Sequence, residues 1–231
     1  MTKVVWIARY RSGMPREAAS RYWQHTHGTI AAKTPGLGRY IQNHAVAPLP
    51  PGHGLARQEL LFDGYSCAWY KDWETYDAST DTPEWAALEA DSENVFDNSF
   101  FPGMSAVLEE RTLKDGVGDF KLAFVMRFRP GLSKDEGRAY WRGKHADLVL
   151  RVPGLERYVQ NYATRPLDPE GTPLGAALHF DGFAECWFQD RSAFESAATS
   201  PEWQAAYADS ANVFDMATLW PAVVEEHAIK P

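Results

Sequence analysis

Two histidines occupy matching positions in the chain, and each follows a tryptophan by four residues. The pairs are Trp23 with His27 and Trp141 with His145. Residues four apart share one face of a helix, so each histidine is expected to face the interior beside its tryptophan. A partly buried imidazole can have a shifted pKa and act as a general acid or base. The alternative is a structural histidine bonded to a backbone carbonyl, because buried polar groups are usually satisfied.

Tyrosine and glutamine side chains alternate along a predicted strand after each histidine. Tyr158, Gln160 and Tyr162 share one strand face in the second half of the chain, and Tyr40 and Gln42 do so in the first. A tyrosine hydroxyl and a glutamine amide could orient a polar group of a substrate. The alternative for each of these side chains is that it packs against the sheet, with its polar end hydrogen-bonded within the protein.

A carboxylate breaks the similarity between the two halves, because Glu185 stands where the first half has Cys67. Phe183 and Trp187 flank it on the same strand face. Burial there is expected to raise the pKa of Glu185 and to suit it to acid or base work near neutral pH. If only one half is catalytic, the second half is therefore the better candidate. The alternative is a glutamate paired with an arginine such as Arg127.

Metal and nucleotide sites have little support in the sequence. His25 and His27 are two apart, so on a helix they point to different faces. No cysteine pair has zinc spacing, and no acidic loop suits calcium. Glycine-rich phosphate loops and a Gly-x-Ser-x-Gly motif are also missing. We therefore expect no metal and no cofactor.

Charge and hydropathy exclude further classes of function. The 231 residues carry a net charge of −8 without a basic run, which excludes nucleic acid as a partner. No apolar run approaches the length of a membrane-spanning helix. We expect no signal peptide at the N-terminus. Cys67 and Cys186 lie at non-equivalent positions, so we expect reduced thiols in a cytoplasmic protein. Nine tryptophans indicate wide apolar pockets or interfaces, or a tryptophan-rich core.

These residues belong to an internal repeat at an offset of 118. Between residues 22 and 97, 31 of 76 positions are identical to those 118 residues later. Such similarity indicates duplication. We expect repeat 1 to span residues 1–112 and repeat 2 to span residues 118–231, with a linker within 111–120.

Each repeat has the pattern β-α-β-β-α-β. The elements expected in repeat 1 are a strand Val4–Arg11, a helix that Pro35 and Gly36 end, strands Arg39–Val46 and Tyr65–Tyr70, a helix including Pro83–Ala90, and a strand Met104–Glu110. Pro15 is expected in the first helical turn of repeat 1, and Ser133 and Glu136 form a capping box in repeat 2. Proline- and glycine-rich segments 48–52 and 166–173 are expected loops. Such a repeat forms an antiparallel sheet with both helices on one face, and a second copy can cover the other face.

The motifs resemble those of the EthD family. The run is Trp-x-x-x-His, Pro-Gly-Leu-x-x-Tyr, Phe-Asp-Gly-x-x-x-x-Trp-Phe and Ser-Pro-Glu-Trp. Repeat 2 fits best, through Trp141, His145, Pro153, Gly154, Leu155, Tyr158, Asp181, Gly182, Glu185, Trp187 and Phe188. Repeat 1 departs at Cys67 and has Tyr70 in place of Phe188. The resemblance implies an α+β fold in which two ferredoxin-like βαββαβ repeats form a dimeric α+β barrel within one chain.

The resemblance indicates where a ligand would bind better than it indicates which reaction the protein catalyses. Related proteins include cofactor-free monooxygenases, lactone isomerases, polyketide cyclases and dehydratases, and haem-binding enzymes, whose ligands usually lie between sheet and helices. We expect an enzyme that performs lyase, dehydratase or isomerase chemistry on a small apolar aromatic or polyketide-like compound. His145 and Glu185 are the expected acid and base, with His27 in the same role in repeat 1. The residues expected to bind substrate are Tyr158, Gln160, Tyr162, Trp141, Trp187, Tyr40, Gln42 and Trp23.

Three other functions stay open at this stage. A cofactor-free monooxygenase would need oxygen. A haem protein would use His27 or His145 as axial ligand. An accessory protein would carry an apolar ligand unchanged. The sequence also leaves open whether two such chains pair as a homodimer.

Overall fold

The computed structural model describes residues 1–50, 59–101, 103–167 and 178–231. The elements of repeat 1 are β1 (Thr2–Ala8), α1 (Arg16–Tyr22, a π-helical turn Trp23–His27, and Gly28–Ala31), β2 (Leu37–Ala47), β3 (Gly64–Tyr70), α2 (Trp73–Thr80), α3 (Pro83–Val95) and β4 (Ser105–Lys114). The elements of repeat 2 are β5 (Phe120–Met126), α4 (Lys134–Tyr140, a π-helical turn Trp141–His145, and Ala146–Val149), β6 (Leu155–Pro166), β7 (Gly182–Phe188), α5 (Arg191–Ala198), α6 (Pro201–Val213) and β8 (Trp220–Lys230).

The predicted β-α-β-β-α-β order is confirmed, with differences at the element ends. Each second helical region is two helices, because Asp72 and Asp190 cap an additional helix that the sequence pattern did not reveal. Helix α1 begins at Arg16 with Pro15 as its N-cap residue, one position before the expected place. The capping box of Ser133 and Glu136 is present. Parts of the two expected loops, residues 51–52 and 168–173, lie outside the described residues.

The eight strands close into one barrel in the order β1-β3-β2-β8-β5-β7-β6-β4, and β4 pairs again with β1. The two repeats meet at two antiparallel seams, β2 with β8 and β4 with β6. Barrel closure within one chain satisfies the sheet edges that a single repeat would expose. This is the expected α+β barrel of two ferredoxin-like repeats. None of the described helices is long and apolar enough to cross a membrane.

Alternation along the strands sorts side chains between two compartments. Val5 and Ile7 of β1 belong to a buried cluster inside the barrel, whereas Trp6 and Ala8 face the helices that pack outside it. The repeats also exchange residues across their seams. Leu49 of repeat 1 completes the helix-side core of repeat 2, and Leu167 of repeat 2 packs into that of repeat 1.

Candidate functional site

A π-helical turn in each first helix presents the histidine. In repeat 1 the carbonyl of Trp23 accepts hydrogen bonds from the backbone N–H of Gly28, five residues on, and from the Gln42 amide at 3.0 Å. The Gln160 amide bonds the Trp141 carbonyl at the same distance. Such widened turns are rare and frequently lie at functional sites. The glutamine amides therefore hold the backbone that carries the histidine, instead of being free to orient a substrate.

An aspartate orients each histidine. His27 Nδ1 lies 2.9 Å from Asp91 Oδ2, and the same carboxylate accepts a hydrogen bond from the Tyr22 hydroxyl at 2.7 Å. Because the carboxylate accepts, it favours the proton on Nδ1 and leaves Nε2 as the basic nitrogen. Burial lowers the pKa of His27 below its ordinary value, and the bond to Asp91 opposes part of that shift. A neutral imidazole with a fixed tautomer is suited to accept a proton.

His27 lines a cavity of about 1060 Å³ between the sheet of repeat 1 and helices α1, α2 and α3. This volume reaches the upper end of the usual range for small-molecule sites. Its aromatic wall includes Trp6, Tyr40, Trp73, Tyr76, Trp85 and Phe96. The rings of Trp6, Tyr76 and Trp85 contact one another at centroid distances of 5.8–6.4 Å. Flat aromatic compounds match such a surface.

Two buried polar groups of this cavity have no hydrogen-bond partner among the described residues. They are the indole nitrogen of Trp23 and the hydroxyl of Thr34, on side chains that are 1% and 2% exposed. Burial raises the pKa of Tyr40, while interactions of its hydroxyl with Gln42, Ser66 and Trp23 oppose the rise, so this hydroxyl lies close to the Trp23 indole. Unsatisfied buried donors are costly, so they indicate a place where a ligand atom accepts.

Repeat 2 has the same dyad with almost no space beside it. His145 Nδ1 lies 3.1 Å from Asp209 Oδ2, but the adjoining cavity holds only about 70 Å³. The polar groups next to the dyad bond one another, whereas the indole nitrogen of Trp203 on the same cavity wall has no hydrogen-bond partner among the described residues. The Tyr158 hydroxyl accepts from Trp141 Nε1 at 3.1 Å and from Gln160 Nε2 at 2.9 Å, and the Tyr162 hydroxyl donates to Gln160. The expected site in repeat 2 is therefore packed, and the open site lies in repeat 1.

Residue size at equivalent positions and the packing of the covering helices both contribute to the difference in cavity volume. Three alanines that line the cavity of repeat 1 have larger counterparts in repeat 2, namely Ala8 and Met126, Ala31 and Val149, and Ala68 and Cys186, whereas Trp6 and Leu88 are larger than their counterparts Phe124 and Ala206. The covering helices differ accordingly. Helix α3 buries Asp91 and Val95, whereas helix α6 buries Trp203, Ala206, Asp209, Ser210 and Val213. Helix α3 thus spans a space that helix α6 fills.

The structure corrects the expectations for Glu185. Its side chain points into the barrel, on the face of β7 opposite to His145, and bonds Lys121 at 2.6 Å, Tyr65 at 2.7 Å and Asn161 at 2.9 Å. Burial alone would raise the pKa of Glu185, but the positive charges of Lys121 and Lys3 outweigh burial and lower it to about 2. The expected raised pKa and the expected pairing with His145 are both wrong.

Trp187 shares the barrel-facing side of the strand. Its ring lies under the Lys121 ammonium at 4.3 Å and under the Arg157 guanidinium at 4.9 Å, outside both cavities. Glu185 therefore gives repeat 2 no acid or base beside its histidine. The partner of Glu185 is lysine, instead of the arginine considered as the alternative. The sequence did not identify Lys3 and Lys121 as partners of Glu185, because both lysines lie in otherwise apolar strands. Their side chains are nevertheless buried inside the barrel, where they meet other polar residues.

Sequence reasoning also missed the two aspartates. Asp91 and Asp209 are 64 residues after their histidines and on a different helix, so spacing alone could not connect them. A signal was available. Both lie in a stretch that is nearly identical between the repeats, Ala-Asp-Ser-x-Asn-Val-Phe-Asp, and a buried-helix aspartate kept in both copies is a candidate to orient a histidine.

The mouth of the repeat 1 cavity is acidic. Four exposed carboxylates line it: Asp77, Asp81, Glu89 and Glu93. The cation that lines the cavity with them is Arg165 of repeat 2, whose guanidinium stacks on Trp73 at 3.4 Å. Haem carries two carboxylates that need cationic partners, so this mouth fits haem poorly even though His27 Nε2 is available.

Comparisons with known proteins agree on the fold. The EthD domain model matches residues 11–99 and 129–217. An anthrone oxidase-like protein shares 14% identity at a TM-score of 0.61, over 100% of this chain and 93% of that one. A proposed monooxygenase from Fusobacterium nucleatum shares 10% identity at a TM-score of 0.58, over 99% and 92%. A proposed chlorite dismutase shares 12% identity at a TM-score of 0.51, over 97% and 94%. No protein with a curated description matches the chain.

Proposed function

The chain belongs to the EthD domain family through both of its repeats, and we propose that it is an enzyme that moves a proton on a small aromatic or polyketide-like compound without a metal or nucleotide cofactor. The observation that carries this proposal is the His27–Asp91 pair, 2.9 Å apart, on the wall of an aromatic cavity of about 1060 Å³. The reaction class is a lyase, dehydratase or isomerase step, in which proton transfer is the chemical event.

The residues of the cavity have distinct roles in this proposal. His27 Nε2 takes a proton from a carbon next to a ligand carbonyl, and Asp91 stabilises the imidazolium that results. Negative charge then develops on the carbonyl oxygen. The indole N–H of Trp23 and the hydroxyl of Tyr40 lie close to each other on the cavity wall and are the donors that we assign to that oxygen. Oriented donors in a dry site are an effective way to stabilise such charge.

Repeat 2 serves as support in this proposal. Its dyad has the same geometry, but a volume of about 70 Å³ has room for about two water molecules. It contributes to the working cavity through Arg165, Pro166 and Leu167, which line it from across the seam between β4 and β6. One chain would therefore contain one working site.

Deuterium exchange tests the proposal without knowledge of the natural substrate. Anthrone in deuterated buffer should lose its methylene proton signal faster with the protein than with buffer alone. His27→Ala should return the rate to that of buffer, whereas His145→Ala should keep most of the acceleration. Exchange that persists in the His27 variant, or that disappears only in the His145 variant, would reject the assignment.

A cofactor-free monooxygenase is the second candidate. The same proton removal produces a carbanion, and the aromatic lining of the cavity would hold it away from water while dioxygen reacts. Fold neighbours described as an anthrone oxidase-like protein and a proposed monooxygenase are consistent with this candidate. Product formation under anaerobic conditions separates the two, because only the oxygenase needs dioxygen. A carrier of apolar ligands would leave the exchange rate of anthrone at that of buffer alone under both conditions.

A further inference from the structure

The acidic mouth of the repeat 1 cavity has no internal explanation. None of the side-chain carboxylates of Asp77, Asp81, Glu89 and Glu93 has an ion pair or hydrogen bond among the residues that the structure describes. Glu89 and Glu93 are four residues apart on helix α3, where like charges destabilise a helix by a few tenths of a kcal/mol. The arrangement is therefore unfavourable in the protein alone.

The acidic residues are a property of the open repeat. Their counterparts in repeat 2 are Glu195, Thr199, Tyr207 and Ala211. One of these four is acidic, and it is paired, since Glu195 accepts from Arg191 at 2.8 Å. Unpaired negative charge thus accompanies the large cavity and is absent from the filled one. Arg165 supplies one positive charge at the mouth, which leaves the lining with a surplus of negative charge.

A second observation points to a ligand in the same cavity. The hydroxyl of Thr34 and the indole N–H of Trp23 are buried on its inner wall without a hydrogen bond of ordinary geometry among the described residues, and the Tyr40 hydroxyl is the group that lies close to the indole. An indole nitrogen can only donate, so its partner must be an acceptor. The inner wall is therefore suited to bind an oxygen atom of a ligand, whereas the mouth is suited to bind a positively charged group.

We propose that the cavity selects an aromatic ligand that has an acceptor oxygen at its inner end and an amine at the mouth, over the same framework bearing a carboxylate. This proposal rests on the proposed function, because it concerns the substrate of the same site. The aromatic wall binds the ring framework of the ligand whatever its charge, whereas the acidic mouth favours the amine over the carboxylate. Clefts lined by one sign of charge raise the local concentration of the opposite sign.

Three anthraquinones of nearly equal size provide the test: 2-aminomethyl, 2-hydroxymethyl and 2-carboxylate derivatives. Dissociation constants are measured by quenching of tryptophan fluorescence in about 10 mM and about 1 M salt, where the Debye length falls from roughly 30 Å to 3 Å. At low salt the amine should bind about tenfold more tightly than the carboxylate, and the alcohol should lie between them. High salt should reduce the ratio of the two charged probes to near unity.

A double variant, Glu89→Gln with Glu93→Gln, should reduce the low-salt ratio at least threefold and leave the affinity for the alcohol unchanged. The matched control, Asp147→Asn with Glu202→Gln, removes two exposed acids of repeat 2 outside both cavities and should leave the ratio as it is. Equal binding of the three probes, or a ratio unaffected by the double variant, would overturn charge selection and leave the proposed function standing. Failure of every probe to bind would overturn both.

Discussion

The side-chain amide of Gln42 donates to the backbone carbonyl of Trp23 across 3.0 Å, and this bond joins strand β2 to the π-helical turn that ends at His27. The other end of the amide is also occupied, since Gln42 Oε1 lies 3.0 Å from His44 Nε2. Gln42 is fully buried. A residue at the centre of such a network sets the position of the histidine without touching a ligand itself.

Replacement of Gln42 by leucine should reduce turnover while the protein still folds. The Trp23 carbonyl keeps its hydrogen bond from the Gly28 backbone, so the helix persists. The turn that carries the His27 imidazole, however, loses its hydrogen bond to strand β2. Misplacement of a reacting group by about 1 Å can reduce the rate roughly a hundredfold. Gln160→Leu is the matched control in repeat 2. It should lower the melting temperature to a similar extent and leave turnover unchanged, and equal loss of turnover in both variants would contradict the positioning role.

The dyad predicts the acid side of a pH–rate profile. His27 acts as a base when neutral, so activity should rise as pH increases through its pKa, which lies below the ordinary 6.5. Asp91→Asn removes the interactions that raise this pKa. The rising limb should therefore move to lower pH, while the maximal rate falls because the tautomer is no longer fixed. Measurement of kcat against pH for both proteins checks the shift. A limb that moves to higher pH would contradict it.

Transfer of repeat 2 residues into repeat 1 should close the cavity. The combination Ala8→Met, Thr34→Val and Ala68→Cys copies side chains that already fill the equivalent space. We expect loss of ligand binding with an unchanged or higher melting temperature, since apolar groups would enter empty space. The reverse change, Met126→Ala, should destabilise the protein by about 2–5 kcal/mol through the hole that it leaves. Fluorescence titration and thermal unfolding measure the two effects.

Glu185 should contribute to stability in a pH-dependent manner. Its pKa of about 2 in the folded protein lies below the ordinary 4.5, so its contribution is complete above pH 4.5 and is lost as pH falls from 4.5 towards 2. Glu185→Gln should therefore destabilise the protein at pH 7 by roughly 3 kcal/mol and flatten the acid limb of stability. Glu226→Gln is the control. That residue also binds Lys121, at 2.7 Å, but is 37% exposed, so its loss should have a smaller effect.

The fold was predictable because its signals are local or repeated. The 118-residue offset defined two equal units, and alternation placed Tyr40 and Gln42 on the helix-facing side of β2 as expected. The face of β7 was harder to assign. All seven of its residues are buried, so Glu185 and Cys186 were equally compatible with either compartment. Only the closed barrel determines that Glu185 lies inside it.

The motifs could not predict which repeat holds the open site, because that depends on side-chain volumes at positions outside the motifs. Trp23, His27 and Tyr40 have identical counterparts in repeat 2, so the motif residues are the same in both sites. The cavity arises from modest differences in volume at residues outside the motifs, such as Ala8 and Met126. A single added methylene matters in close-packed interiors, and the sum over several positions decides whether a ligand can enter.

The size differences between the two cavities have a consequence for how such a protein can change over time. In an assembly of two identical chains, every substitution appears in both halves, so a larger residue that strengthens one pocket obstructs the other as well. Joining the halves in one polypeptide removes that constraint. Met126 can add packing on its side of the molecule without any change at Ala8, which lets one half become a scaffold and the other remain accessible to small molecules.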